Sequence, residues 1–308
     1  MKKFKKSLIR FLSNTRLFKY IARKTNYAQY APLHVPPGHF YSPIADLKEV
    51  DAFAAQVFDR DQRILPAIDL REKEQLELLQ TLSGYYPELP FKETKQEGLR
   101  YYYGNGLYCH ADAIFLYSMI RHFRPKRIIE AGSGFSSAAM LDTNDLFFDG
   151  AIRIELIEPY PDRLYSLLTP KDHSTVVVHE KKLQEMPLDF FKQLEANDIL
   201  FIDSSHVTRV AGEVNYYMFE ILPALKPGVL IHIHDIFSGF EYPRKWIDDG
   251  KSWSEAYLLR AFLQYNKSFE IIAFNTFLEH FHEKFFKDHM PLCLINEGGS
   301  IWLRKTSD

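Results

Sequence analysis

From Lys126 onward, seven short apolar runs alternate with segments long enough to be helices, and this alternation restricts the fold more than any other feature. The runs are 127–131, 152–157, 175–178, 199–202, 229–233, 269–274 and 300–303. The patterns between them predict crossover helices near 136–147, 207–222, 253–265 and 276–286. Strands that read as nearly continuous Ile, Leu and Val, without polar alternation, are buried on both faces. The expected fold is therefore α/β, a doubly wound, mostly parallel sheet with helices on both faces.

Upstream of the first run the pattern is helical. Asp69 followed by Glu72, ahead of Leu76, Leu79 and Leu82, reads as a capping box and predicts a helix over 70–82. Ile114, Leu116, Tyr117, Ile120 and Phe123 predict a second helix over 111–123, stopped by Pro125. The chain divides into a basic arm with a proline-rich linker (1–45), a helical extension packing on the core (46–125) and a ligand-binding α/β domain (126–308).

Charge is distributed unevenly. The formal net charge is −2, yet residues 1–45 hold nine Lys and Arg and no acid, leaving 29 basic against 40 acidic residues in the rest. A body this acidic argues against a nucleic-acid partner, whose binding depends on neutralising phosphates. In the arm, Phe4, Leu8, Phe11, Leu12, Leu17 and Ile21 recur at helical spacing. That face suits peripheral contact with an anionic membrane, or packing on its own protein or a second subunit, and its shortness favours packing. The arm's apolar stretch is interrupted by Arg10 and is too short for a secretory signal. Two cysteines, Cys109 and Cys293, build neither a disulfide framework nor a CxxC site. The expected location is cytoplasmic.

The chemistry concentrates where strands end. Ile128 to Ser137 reads Ile-Ile-Glu-Ala-Gly-Ser-Gly-Phe-Ser-Ser, a buried strand running into a glycine turn and then a helix. In a doubly wound sheet this turn lies at the carboxyl edge, where ligands bind. A dinucleotide fingerprint would place Gly or Ala at the third position, which here is Ser137. Glu130 favours a ligand with positive charge, such as a sulfonium or an amino group, over a pyrophosphate. Glu158, closing the second strand, is placed to accept hydrogen bonds from ribose hydroxyls.

Glu130, Gly132, Gly134, Glu158 and the closing run Gly298 to Arg304 together resemble the class I methyltransferases that use S-adenosylmethionine, and most closely the bacterial methyltransferase domain 24 family. The resemblance covers about 100–304. It implies a seven-stranded Rossmann-like sheet in order 3-2-1-4-5-7-6, with the last strand antiparallel and the helical extension in front. It also implies that Gly132, Ser133, Gly134 and Ser136 hold the methionine and ribose parts of the cofactor, with Glu130, Glu158 and Asp203 beside them. The adenine is expected near 179–185.

Strand four ends in Asp203-Ser204-Ser205-His206 and strand five in His232-Ile233-His234-Asp235, which brings Asp203, His206, His234 and Asp235 to one edge as catalytic candidates. Asp203, His234 and Asp235 are the expected ligands of a divalent metal ion orienting an acceptor hydroxyl. Cation-dependent O-methyltransferases resemble this layout, but His234 stands where the sugar-modifying group has an acid, and Ile236 replaces the asparagine of the catechol type. Zinc, manganese, or no metal with His206 or His234 as general base all remain open. His232 is expected to be packed. The loop 237–253, with Tyr242, Trp246, Asp248 and Asp249, is placed to cover the edge, and Tyr101 to Gly106 to close the other side.

The expected activity is methyl transfer from S-adenosylmethionine to an oxygen of a small-molecule or saccharide acceptor. The alternatives are an NAD(P)-dependent oxidoreductase on a Rossmann-like fold and a non-catalytic membrane-associated module.

Overall fold

The computed structural model describes residues 34–307, so the amphipathic positions expected between Phe4 and Ile21 lie outside the described residues. The chain falls into two compact units, Met1–Val57 and Phe58–Asp308. In the first, the linker turns back at Gly38, whose N–H donates to the Ile44 carbonyl at 3.0 Å. A helix Leu47–Ala52 follows, capped by Asp46 accepting from the Lys48 N–H at 3.0 Å.

The second unit is built on a seven-stranded sheet in the order β3-β2-β1-β4-β5-β7-β6. The strands are β1 Arg127–Ala131, β2 Arg153–Ile157, β3 Val177–His179, β4 Ile199–Ile202, β5 Leu230–His234, β6 Phe269–Phe274 and β7 Ser300–Lys305. The pairs among β1 to β5 are parallel, and β7 runs antiparallel to both β5 and β6. Every residue of β4 and β5 is buried, which explains their uniformly apolar pattern and makes His232 and His234 conspicuous. Ala131 is in register with Ile157 and with Ile202, and Ile202 with Ile233. The carboxyl ends of β2, β1, β4 and β5 therefore form one level edge. Strand order reverses between β1 and β4, and a crevice opens there.

Within the second unit, the two long helices that precede β1 are tied to this sheet. Helix His110–Phe123 is buried from His110 through Ile120. Helix Glu72–Ser83 sends Gln75 to the end of β6, where its side-chain oxygen accepts from the Phe274 N–H at 2.7 Å. Arg100 is sunk between Asp142, Asp145 and Asp172.

Several expected boundaries move for local reasons. The first expected helix starts at Glu72, because Asp69 accepts from the Arg71 N–H at 2.9 Å and closes a turn, leaving Arg71 as a left-handed N-cap. The third run shifts to Val177–His179 because Asp172 accepts from the Thr169 N–H and hydroxyl, winding Asp172–Thr175 into a helical turn. The helix expected over 207–222 begins only at Glu213. It widens into a π turn at Tyr217–Ile221, ahead of Pro223, which has no N–H to continue the ladder. The last predicted helix splits into Asn275–Phe281 and Glu283–His289 at His282, whose ring bonds Glu72 at 2.7 Å. Both cysteines are free. No helix among the described residues is long and apolar enough to cross a membrane.

Candidate active site

The turn after β1 is held from below and from the side. Gly132 has φ +86°, and a Cβ there would lie 1.6 Å from the carbonyl oxygen of Asp203, so both conformation and space require glycine. Its N–H donates to the Ile157 carbonyl at 3.0 Å, while the Asp203 N–H donates to Ala131 at 2.8 Å. The ends of β1, β2 and β4 are thus stitched together at this turn.

Glu130 is completely buried and its two carboxylate oxygens face the hydroxyls of Ser136 and Ser137. Ser137 Oγ also accepts from the Gly134 N–H at 2.9 Å, so Glu130 acts on the turn through the two serines. Burial pushes its carboxyl up to about 8, against the lowering effect of the serine hydroxyls. Glu158, just beyond β2, accepts from the Ser133 N–H at 3.1 Å and from the Tyr160 N–H at 2.8 Å.

Two cavities share this edge. One, of about 570 Å³, runs from Gly132 and Glu158 past Tyr160, Leu183 and Gln184 to Arg209. The other, of about 270 Å³, is walled by Tyr108, Ser133, Gly134, Ser136 and Arg163. Gly132, Glu158, Asp203 and Ser204 line both. Glu130 lines neither. Gln184 Oε1, in the larger cavity, is buried without a hydrogen-bond partner.

Next to Asp203 the ends of β4 and β5 converge. His206 Nε2 lies 3.5 Å from Asp203 Oδ1 and 3.4 Å from Asp235 Oδ2, and His234 Nε2 lies 3.7 Å from Asp235 Oδ1. The three residues whose ligand atoms all fall within 4.8 Å are Asp203, His206 and Asp235, so His206 joins the two carboxylates where His234 was expected. Both His206 (φ +59°) and Asp235 (φ +57°) adopt left-handed backbone, a strain that surrounding structure must hold in place. Burial opposes charge on His206, yet Asp203, Glu255 and Asp235 hold its pKa well above the ordinary imidazole value. His234 is likewise raised, its burial outweighed by Asp203, Asp235 and Asp112. Asp203 is kept below the usual carboxylate value, because His234 and His206 outweigh its burial. Asp235 is raised, mainly by burial. His232 is packed as expected: fully buried, stacked 3.9 Å from Phe201, and driven well below the ordinary value by burial.

Other groups at this edge escaped the sequence reading. Glu255, fully buried, bonds His206 Nδ1 at 2.8 Å and accepts from the Tyr217 hydroxyl at 2.6 Å. Asp112 accepts from the Gly299 N–H at 3.2 Å and acts electrostatically on both His234 and Asp235. Its signal was an acid in a stretch otherwise patterned for burial. Tyr101 and Tyr103 pack into an aromatic core with Phe91, and Leu107 and Tyr108 reach the smaller cavity instead. In the covering loop, Tyr242 accepts from the Ala256 N–H at 3.0 Å, and Trp246 meets Trp253 edge-on at 5.1 Å. Asp248 and Asp249 pair with Arg244 and Lys245.

Residues 129–236, which span the glycine turn and the ends of β2, β4 and β5, match a family model described as a methyltransferase domain. A protein of Archaeoglobus fulgidus described only as uncharacterized is 39% identical over 169 residues, 53% of this chain and 75% of its own. Among solved structures the chain is similar to the O-methyltransferase TomG from Streptomyces achromogenes, involved in tomaymycin synthesis and solved with S-adenosylmethionine. That likeness has 12% identity and a TM-score of 0.42 over 84% of this chain and 96% of that one. It is also similar to the S-adenosylhomocysteine-bound methyltransferase PaMTH1 of Podospora anserina, at 15% identity and a TM-score of 0.41 over 85% and 95% of the two chains. Likenesses this distant say nothing about an acceptor. The matched stretch holds the glycine turn, the acid after β2 and the ends of β4 and β5, and the chain carries a methyltransferase domain of the class I S-adenosylmethionine-dependent type.

Proposed function

We propose that the protein transfers the methyl group of S-adenosylmethionine to an oxygen of a small-molecule or saccharide acceptor, at the edge between Gly132 and Asp235. The observation that carries this reading is Glu158, which lines both cavities while its oxygens order the Ser133 and Tyr160 amides. A carboxylate has about four lone-pair sites, so Glu158 retains acceptors for both ribose hydroxyls. The adenosine end then fills the larger cavity, with Gln184 Oε1 open to an exocyclic amine. The methionine end fills the smaller one, where Arg163 pairs with its carboxylate and Ser136, held by the buried Glu130, lines the wall. Asp203 stands at the junction, beside the reacting methyl group.

The donor is already activated, so the protein's work is to align the acceptor and take its proton. His206 and His234 face carboxylates that favour their charged forms, which leaves Asp203 and Asp235 as the groups able to accept that proton. Asp203, His206 and Asp235 also fit a divalent cation: two carboxylate oxygens and one imidazole nitrogen suit zinc or manganese better than magnesium. Such a cation, when bound, supplies Lewis-acid polarisation of the acceptor oxygen. It would take the place of the proton on His206 Nε2, and Glu255 would then hold the ring's other nitrogen.

Thermal unfolding with added S-adenosylhomocysteine and, separately, with NADH tests the donor. A saturable rise in melting temperature with S-adenosylhomocysteine alone is expected. Stabilisation by NADH alone would replace this reading with a nicotinamide-dependent one.

A further inference from the structure

The covering loop contains a cation held by aromatic faces alone. Lys251 Nζ lies 3.7 Å from the ring centroid of Trp246 and 4.3 Å from that of Trp253. The two rings stand 5.1 Å apart at 74° and form a corner around the ammonium. Phe237 backs Trp246 edge-on at 5.2 Å, and Tyr242 backs Trp253 edge-on at 5.9 Å. Two acids sit two and three positions away in sequence, yet Asp248 pairs with Arg244 at 2.9 Å and Asp249 with Lys245 at 2.6 Å. Lys251 makes no ion pair among the described residues; its charge is met by the electron-rich ring faces.

The position of the corner gives it a use. Trp253 also lies 4.3 Å, centroid to centroid, from His206, the residue at the centre of the Asp203–Asp235 pair. An ammonium seated between the tryptophans is therefore one ring removed from the transfer cluster. Lys251 is exposed and follows Gly250, whose φ of +88° gives the chain a turn at its base, so the side chain has room to leave.

We infer that the Trp246–Trp253 corner is a binding site for a cationic nitrogen, a primary or N-methylated amine carried by the acceptor, which Lys251 occupies until the acceptor displaces it. The inference rests on the reading of Asp203, His206 and Asp235 as the transfer site. Its chemistry is that of an aromatic cage, where a cation loses part of its hydration and gains ring faces. It narrows the acceptor to an amine-bearing molecule, methylated on an oxygen near that nitrogen.

Tetramethylammonium chloride serves as the probe and tert-butanol as its uncharged isostere, with tryptophan emission as the readout at constant ionic strength. The third tryptophan, Trp302, is fully buried, so a ligand-dependent change reports the corner. The expected result is a weak saturable change in the wild-type protein and about fivefold or greater tightening in Lys251→Met, which removes the competing charge and keeps the stem. Trp246→Leu should abolish the response, and tert-butanol should give none. Equal affinity in Lys251→Met and wild type, no response in either, or an equal response to tert-butanol would overturn the inference. S-adenosylhomocysteine affinity is measured on the same samples. Its absence would count against the transfer-site reading, whereas the ammonium titration needs no cofactor and judges the corner separately.

Discussion

Glu255 bonds His206 through Nδ1 at 2.8 Å across 49 positions of sequence, and so fixes which ring nitrogen faces Asp203 and Asp235. The carboxylate is fully buried and shared with the Tyr217 hydroxyl. Glu255→Gln preserves the shape but gives up the charge that orients the ring, as partners behind functional histidines do. Turnover should fall about 10- to 100-fold with little change in cofactor affinity. Glu255→Ala leaves His206 Nδ1 and the Tyr217 hydroxyl buried without a partner and should cost about 1–3 kcal/mol of stability for each. Steady-state kinetics with calorimetry check the first expectation, and denaturant unfolding the second. Equal turnover in Glu255→Gln would remove Glu255 from the site.

Gly132→Ala should be among the most damaging single changes in the chain. The added methyl collides with the Asp203 carbonyl oxygen at a positive φ, so the ends of β1 and β4 must separate. Loss of S-adenosylhomocysteine binding and a melting temperature lowered by several degrees are expected. A variant that melts and binds like the wild type would show that the turn is looser than described.

Stability should fall as pH rises from about 5 to 9. Burial lifts Glu130 to about 8 and Glu279 to about 9, both above their unfolded values, so the native state keeps protons that the unfolded chain has lost. The contribution of each is fully present below the unfolded pKa and is lost as pH climbs through the folded one, at up to about 1.4 kcal/mol per pH unit. Glu130→Gln should flatten the melting-temperature profile over this range. An unchanged slope in the variant would show that Glu130 is ionised when folded.

The sheet was legible because its central strands are buried on both faces and leave apolar runs, unbroken in Ile199–Ile202. The glycine turn was legible because only glycine satisfies Gly132's backbone, and the end of β2 because Glu158 follows it directly. Boundaries were lost where a side chain overrode local pattern, as Asp69 does at Arg71 and Glu72 does at His282. The composition of the candidate cluster was only half legible. His206 was named as a catalytic candidate but not as a metal ligand, because it reaches the two carboxylates on a left-handed backbone that no periodicity announces. Glu255 was invisible because its partner lies on a different element, and an acid opening a helix ordinarily reads as a dipole partner.

The most direct test is a calorimetric titration of S-adenosylmethionine into the wild-type protein and Glu158→Ala. The account predicts one-to-one saturable binding by the wild type, weakened in the variant by about 1.5–3 kcal/mol, the worth of hydrogen bonds to a charged group. No binding by the folded wild-type protein, or equal affinity in the two, would contradict it.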